Sequence, residues 1–261
     1  MSEPFFFGPG AERLFGVYHE PTSMADRDEG VVIAAPYGRE LMKTHRALRQ
    51  LAIRLARAGF HVLRFDYRGC GDSAGESEPC GLADWAEDLG VAADELKDRT
   101  GVGKVAFVGL RLGGTLALLA GARRRDVEAL VLWEPILDGP AYAAEMQEVG
   151  RNYRRANRIE ADAGPEDVMG FPLGDPLRQS LEELKLTMRR RPARRVLFLA
   201  EGDPTPDAER LAAALKKLGA TPESRPTAQA RVWLGSEGVA RALIPQEALQ
   251  SVVGWLAGVG A

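Results

Sequence analysis

Two cysteines and three histidines are all the thiol and imidazole that the 261-residue chain offers, and each shortage removes a class of function. No Cys/His cluster has metal-ligand spacing, so neither a metal nor a cofactor is expected. Cys70 and Cys80 lie in or beside a Gly/Ser-rich loop; their spacing allows a disulfide, but a reduced pair in a cytosolic chain is the expectation. A large excess of charge of one sign is also lacking. A net charge of −3 gives no electrostatic reason to expect nucleic acid or an anionic membrane as partner. No apolar run reaches membrane-spanning length, and residues 1–8 show no basic region followed by an apolar core, so the chain is predicted to have no membrane span and to be cytoplasmic. Internal repeats and low-complexity tails are lacking too.

The composition that remains is ordinary globular stock, with 45% hydrophobic and 27% charged residues, in a length that suits one large α/β domain with or without an insertion. Residues 104–120 organise the rest: a short apolar run turns at Gly109 and continues into a helix of small residues. Its centre reads Gly109-Leu110-Arg111-Leu112-Gly113. In the pattern G-x-S-x-G, two glycines let a strand turn sharply into a helix, and the middle side chain is thrust above the sheet. Both glycines are present, and Arg111 stands in the serine's place. A guanidinium stays protonated and has no lone pair for attack on a carbonyl. At a helix N-terminus, where free N–H groups favour an anion, it can still serve as a fixed cation.

Taken in order, residues 5–7 and 13–19, joined by glycines, predict an N-terminal β-hairpin. Residues 31–35 form a continuous apolar run, as a strand buried on both faces of a parallel sheet should. Leu41, Leu48, Leu51, Ala52 and Leu55 follow helical spacing, and Gly59 ends that helix. A second strand is expected at 61–66, leading into a glycine-rich loop, then a helix through Trp85, Leu89, Ala92 and Leu96. Further strands are expected at 127–133, 196–200 and 229–234, with a closing helix at 245–256. Strands alternating with helices predict an α/β fold, a doubly wound and mostly parallel sheet with its site at the carboxyl edge. The interval between the strands at 127–133 and 196–200 exceeds what a crossover needs, so residues 136–192 are read as an inserted helical cap, with residues 1–135 and 193–261 as the core.

Three segments in this order carry a resemblance: Pro36-Tyr37-Gly38-Arg39-Glu40, the run from Phe65 through Asp66, Tyr67, Arg68, Gly69, Cys70, Gly71 and Asp72 to Ser73, and the elbow at Gly109 to Gly113. Through them the chain resembles α/β-hydrolases of the serine-aminopeptidase-like type over nearly its full length. Within that superfamily it is most similar to the hydrolase-like proteins associated with bacterial exosortase systems. The segments from Trp133 to Gly139 and from Gly170 to Leu173 resemble cap-region features of such proteins. The resemblance implies an α/β-hydrolase fold and places the family's nucleophile on Arg111, its acid on Asp203 with Asp207 as second candidate, and its histidine at or near Val239. The family's order of nucleophile, acid and histidine is not fulfilled here, because the histidines are His19, His45 and His61. The oxyanion donors implied are the backbone N–H groups of Leu112 and of Tyr37 or Gly38.

Two readings of Arg111 stand open. It binds a carboxylate, phosphate or sulfate together with Leu112, Tyr37 and Gly38, or it pairs with an internal acid such as Asp203 or Glu134 and closes the site. His45 is expected at a surface or helix end, Cys70 and Ser73 in structural roles, and Ser236 lacks a base. Arg151, Arg154, Arg155 and Arg158 share a helical face, read as solvated and screened by Glu145, Glu148 and Glu160, or else as a docking face for an acidic partner. The arginines at 189–191, 194 and 195 are expected on the surface where the cap rejoins the sheet. The function expected is a pseudo-hydrolase that binds a small anionic or acyl ligand, or a protein partner through its cap. The alternative is an active carboxylic-ester or thioester hydrolase with an atypical constellation.

Overall fold

The computed structural model describes residues 2–10, 12–23, 27–158, 171–228, 231, 233 and 244–258. A hairpin of β1 (Ser2–Phe7) and β2 (Leu14–His19) opens the chain and is followed by β3 (Glu29–Ala34), α1 (Arg39–Arg57), β4 (His61–Phe65) and α2 (Leu82–Thr100). Then come β5 (Lys104–Leu110), α3 (Leu112–Arg123) and β6 (Val127–Trp133). Helices α4 (Gly139–Asn157) and α5 (Asp175–Glu182) precede β7 (Arg195–Ala200), α6 (Pro206–Lys217), β8 (Thr221–Pro226) and α7 (Gln246–Ala257). Among the described residues no helix is long and apolar enough to cross a membrane, and Cys70 and Cys80 are both free thiols.

The strands form one sheet in the order β1-β2-β4-β3-β5-β6-β7-β8. The β1/β2 and β2/β4 pairs are antiparallel and every later pair is parallel. The parallel strands are apolar throughout because both sheet faces are covered. Val31, Ile33, Val108, Val131 and Trp133 pack with Leu51, Leu55 and Trp255 of α1 and α7. Their alternate neighbours Val32, Phe107, Leu130 and Leu132 pack on the other side with Trp85, Leu89 and Leu116 of α2 and α3. From β3 the chain first steps to β4 on one side and then returns to β5 on the other. The loops after β3 and β5 therefore diverge at a switch point, where a crevice opens at the carboxyl edge.

The eighth strand departs from the sequence reading. The sheet ends on β8 at Thr221–Pro226, paired with β7 from Arg195↔Thr221 to Ala200↔Pro226. Its sequence, TPESRP, contains two prolines and no apolar alternation, which an edge strand tolerates because one side needs no ladder bonds. Of the expected strand at 229–234, Arg231 and Trp233 are not in a strand and the other positions lie outside the described residues.

Candidate functional site

Gly109 and Gly113 make the elbow possible by closeness. A Cβ at Gly113 would sit 2.1 Å from the carbonyl oxygen of Ala34, and one at Gly109 would sit 2.4 Å from that of Gly113. Strand β5 and helix α3 consequently cross almost in backbone contact. The residue at the apex adopts φ 54, ψ −121, a left-handed conformation that costs a non-glycine residue about 1–3 kcal/mol. That residue is Arg111. Its N–H donates to the Trp133 carbonyl at 2.9 Å, and its own carbonyl accepts from Gly114 at 2.9 Å. The strained apex is thus held by the neighbouring strand and the first turn of α3.

The Arg111 side chain turns toward α1 and α4. Its Nε donates to Glu40 Oε1 at 2.8 Å and its Nη2 to Glu145 Oε2 at 3.1 Å. Tyr142 donates its hydroxyl to the other Glu40 oxygen at 3.1 Å. The guanidinium also lies over two rings, 5.4 Å from the centre of Tyr142 and 5.0 Å from that of Trp233. Little of the pair meets solvent: the Arg111 side chain is 12% exposed and that of Glu40 16%. Burial pushes the Glu40 carboxyl above its ordinary range, against the opposing pull of Arg111 and the Tyr142 hydroxyl. Desolvation acts equally against charge on Arg111, but Glu40, Tyr142 and Glu145 outweigh it and raise its pKa. Arg111 is therefore a permanent cation whose charge is met inside the protein.

A cavity of about 260 Å³ adjoins this cluster, with Glu40, Glu145, Tyr37, Phe171, Met146 and Trp233 in its wall. Arg111 is not among its wall residues. Of the two readings of Arg111, the pairing with internal acids is the one whose contacts are present, with Glu40 and Glu145 as the acids. Leu112 is fully buried and Tyr37 nearly so, and the Tyr37 hydroxyl donates to the Pro172 carbonyl at 2.7 Å. Gly38 lines the cavity with φ 64, against the Phe171 side chain. As the first residue of α3, Leu112 has a backbone N–H with no intrahelical acceptor.

The counter-ion expected for Arg111 is corrected. Asp203 is exposed on the loop after β7 and lines a separate cavity of about 130 Å³ with Glu134. Glu134 itself accepts from the Glu201 N–H at 2.8 Å and from Arg231 Nε at 3.2 Å. Asp207 pairs with Arg210 one turn along α6. Val239 and Ser236 lie outside the described residues.

All three histidines are described, and none lines the cavity beside Arg111. His19 accepts from Arg64 Nε, His61 Nδ1 meets the Tyr18 hydroxyl, and His45 is exposed with its Nδ1 against the Met42 carbonyl. Cys70 is not an activated nucleophile, since burial pushes its thiol up to about 12. Ser73 accepts from Phe15 N–H and donates to the Asp66 carbonyl, a structural role.

Glu40, Tyr142, Glu145 and Trp233 were not singled out by sequence as site residues. Glu40 carried a signal, lying in the segment after β3 that the resemblance rests on. Glu145 was read as screening the arginines at 151, 154, 155 and 158, whereas it reaches Arg111. Arg151, Arg155 and Arg158 are exposed, as a solvated face requires.

Residues 41–166 match the family described as Serine aminopeptidase, S33. Two mitochondrial palmitoyl-protein thioesterases called ABHD10 are similar over a shorter stretch. The human protein is 42% identical over 74 residues, which is 28% of this chain and 23% of that protein, and the bovine one is 38% identical over 82 residues, 31% and 26%. The matched stretch spans about a quarter of those relatives' length. Among solved structures, Est1E from Butyrivibrio proteoclasticus with bound ferulic acid superposes with a TM-score of 0.64 at 18% identity, covering 97% of this chain and 99% of that one. An esterase from Pyrococcus furiosus gives 0.64 at 15%, covering 97% and 90%. A carboxyl esterase from Bacillus coagulans gives 0.62 at 14%, covering 99% and 98%. At these identities the structural likeness speaks for the fold.

Proposed function

Starting from a chain that is an α/β-hydrolase by fold, with Arg111 at its elbow, we propose a non-catalytic role: a pseudo-hydrolase that binds rather than cleaves. The observation that carries this reading is the ion-paired Arg111 at the apex where a nucleophile would stand, in a site to which no imidazole reaches. Without nucleophile and base, what remains of the catalytic apparatus is binding and backbone donors, worth on the order of 10³ over water in a well-dissected triad enzyme. The ligand is acyl in character rather than anionic, because the cavity walls pair aromatic and aliphatic side chains with two carboxylates. Docking of a protein partner through residues 136–192, a cytoplasmic location and an association with exosortase systems belong to the same proposal.

An active ester or thioester hydrolase is the second reading, favoured by the names of the similar thioesterases and esterases. One experiment separates the two. Purified protein is offered short p-nitrophenyl esters, an acyl thioester and a fluorophosphonate probe, alongside Arg111→Ala and Arg111→Ser variants. The binding role requires no turnover, no labelling and no activity gained in Arg111→Ser. Turnover or labelling by the natural chain that disappears in Arg111→Ala rejects it.

A further inference from the structure

On the α1 side of the sheet, a third cavity of about 180 Å³ has Val17, Leu41, His45, Leu48, Arg64 and Asp66 in its wall. It shares no lining residue with the cavity beside Arg111. Arg111 and Arg124 each meet carboxylates within 4 Å, and so does Arg68. Arg64 meets none among the described residues, and its one hydrogen bond there runs from Nε to His19 Nε2 at 3.2 Å. Among the described residues, half-buried Arg27 and Arg195 also lack a carboxylate, but each donates to a backbone carbonyl and lies over an aromatic ring; Arg64 has neither. His19 cannot supply the missing charge. It is 4% exposed, and burial together with Arg64 and Arg49 lowers its pKa to about 4, so it accepts as a neutral ring. Asp66 acts on Arg64 only at a distance, from elsewhere on the wall.

A guanidinium desolvated without a counter-ion in contact is costly, and its two Nη groups, which donate to none of the described residues, form a fork that fits a carboxylate bidentately. Strand register explains the placement. Arg64 pairs with Val17 across β2 and β4, and by alternation its side chain shares a face with Val62, beneath α1.

We propose that this cavity is a binding site for a small monocarboxylate, its carboxylate on Arg64 and its short apolar body against Val17, Leu41 and Leu48. Asp66 on the same wall disfavours a ligand with a second negative charge.

Titration calorimetry with butyrate as probe tests the site. Millimolar-range binding is expected in the natural chain, weakened about tenfold or more in Arg64→Gln and unchanged in Trp233→Ala, whose residue lines the other cavity. Asp66→Asn is expected to tighten binding several-fold, and this variant keeps the test open should Arg64→Gln fail to fold. No butyrate binding, binding that survives Arg64→Gln, or binding unchanged or weakened in Asp66→Asn overturns the proposal. Inorganic phosphate binding as tightly as butyrate overturns the choice of ligand. Loss of butyrate binding in Trp233→Ala with retention in Arg64→Gln would assign the ligand to the first cavity instead, sinking this inference while leaving the proposed function intact.

Discussion

Removing the Arg111 side chain should cost stability through Glu40 more than through Arg111 itself. Arg111→Ala leaves a carboxylate that is 16% exposed, with Glu145 nearby and, among the described residues, the Tyr142 hydroxyl as its remaining side-chain donor. Breaking a fully buried ion pair costs about 3–5 kcal/mol. Residual exposure and the surviving hydroxyl bond reduce that here, and a loss of about 2 kcal/mol is expected. Arg111→Gly removes the same charge but relieves the backbone at φ 54, so it should be more stable than the alanine variant by about 1 kcal/mol. Pairing Arg111→Ala with Glu40→Gln removes the orphaned charge as well, and the double variant should recover about 1–2 kcal/mol relative to the sum of the single losses. The sign with pH follows from the raised Glu40 pKa. A carboxyl that is harder to ionise in the folded state lends stability when protonated and loses it as pH rises through the folded pKa. Arg111→Ala raises the Glu40 pKa further, so the penalty should be largest above the variant's Glu40 pKa and shrink as pH falls through it toward the natural chain's value. Urea denaturation followed by tryptophan fluorescence gives all four free energies. Additive single effects, or an alanine variant as stable as the glycine one, would refute the reasoning.

Gly113→Ala should cost about 3 kcal/mol or more, read as a fall in urea midpoint, because its Cβ would meet the rigid Ala34 carbonyl at 2.1 Å. His19 should make the protein acid-sensitive. Its folded pKa of about 4 lies below the ordinary 6.5, so the unfolded chain takes up its proton first and stability falls as pH drops from 6.5 toward 4. His19→Gln should flatten that slope in pH-dependent urea titrations.

Much of the core is written locally. Continuous apolar runs at 31–35, 104–110 and 127–133 read as strands covered on both faces, and the structure covers them with α1 and α7 on one side and α2 and α3 on the other. Helix α1 was legible because Leu48, Leu51, Ala52 and Leu55 recur at its period and are all buried. Strand β8 was not, because an exposed edge at Thr221–Pro226 imposes no apolar alternation on its residues.

At the site the division falls between backbone and charge. Gly109 and Gly113 announce a sharp turn from strand to helix, since what they permit depends on residues next to them in the chain. The identity of Arg111's counter-ion does not. Glu40 and Glu145 stand 71 and 34 positions away, and several acids were equal candidates on sequence. Only the packing of α1 and α4 over the elbow brings these two within hydrogen-bond reach. The same holds for Arg64, which meets no carboxylate within 4 Å among the described residues because of what β2 and α1 place around it.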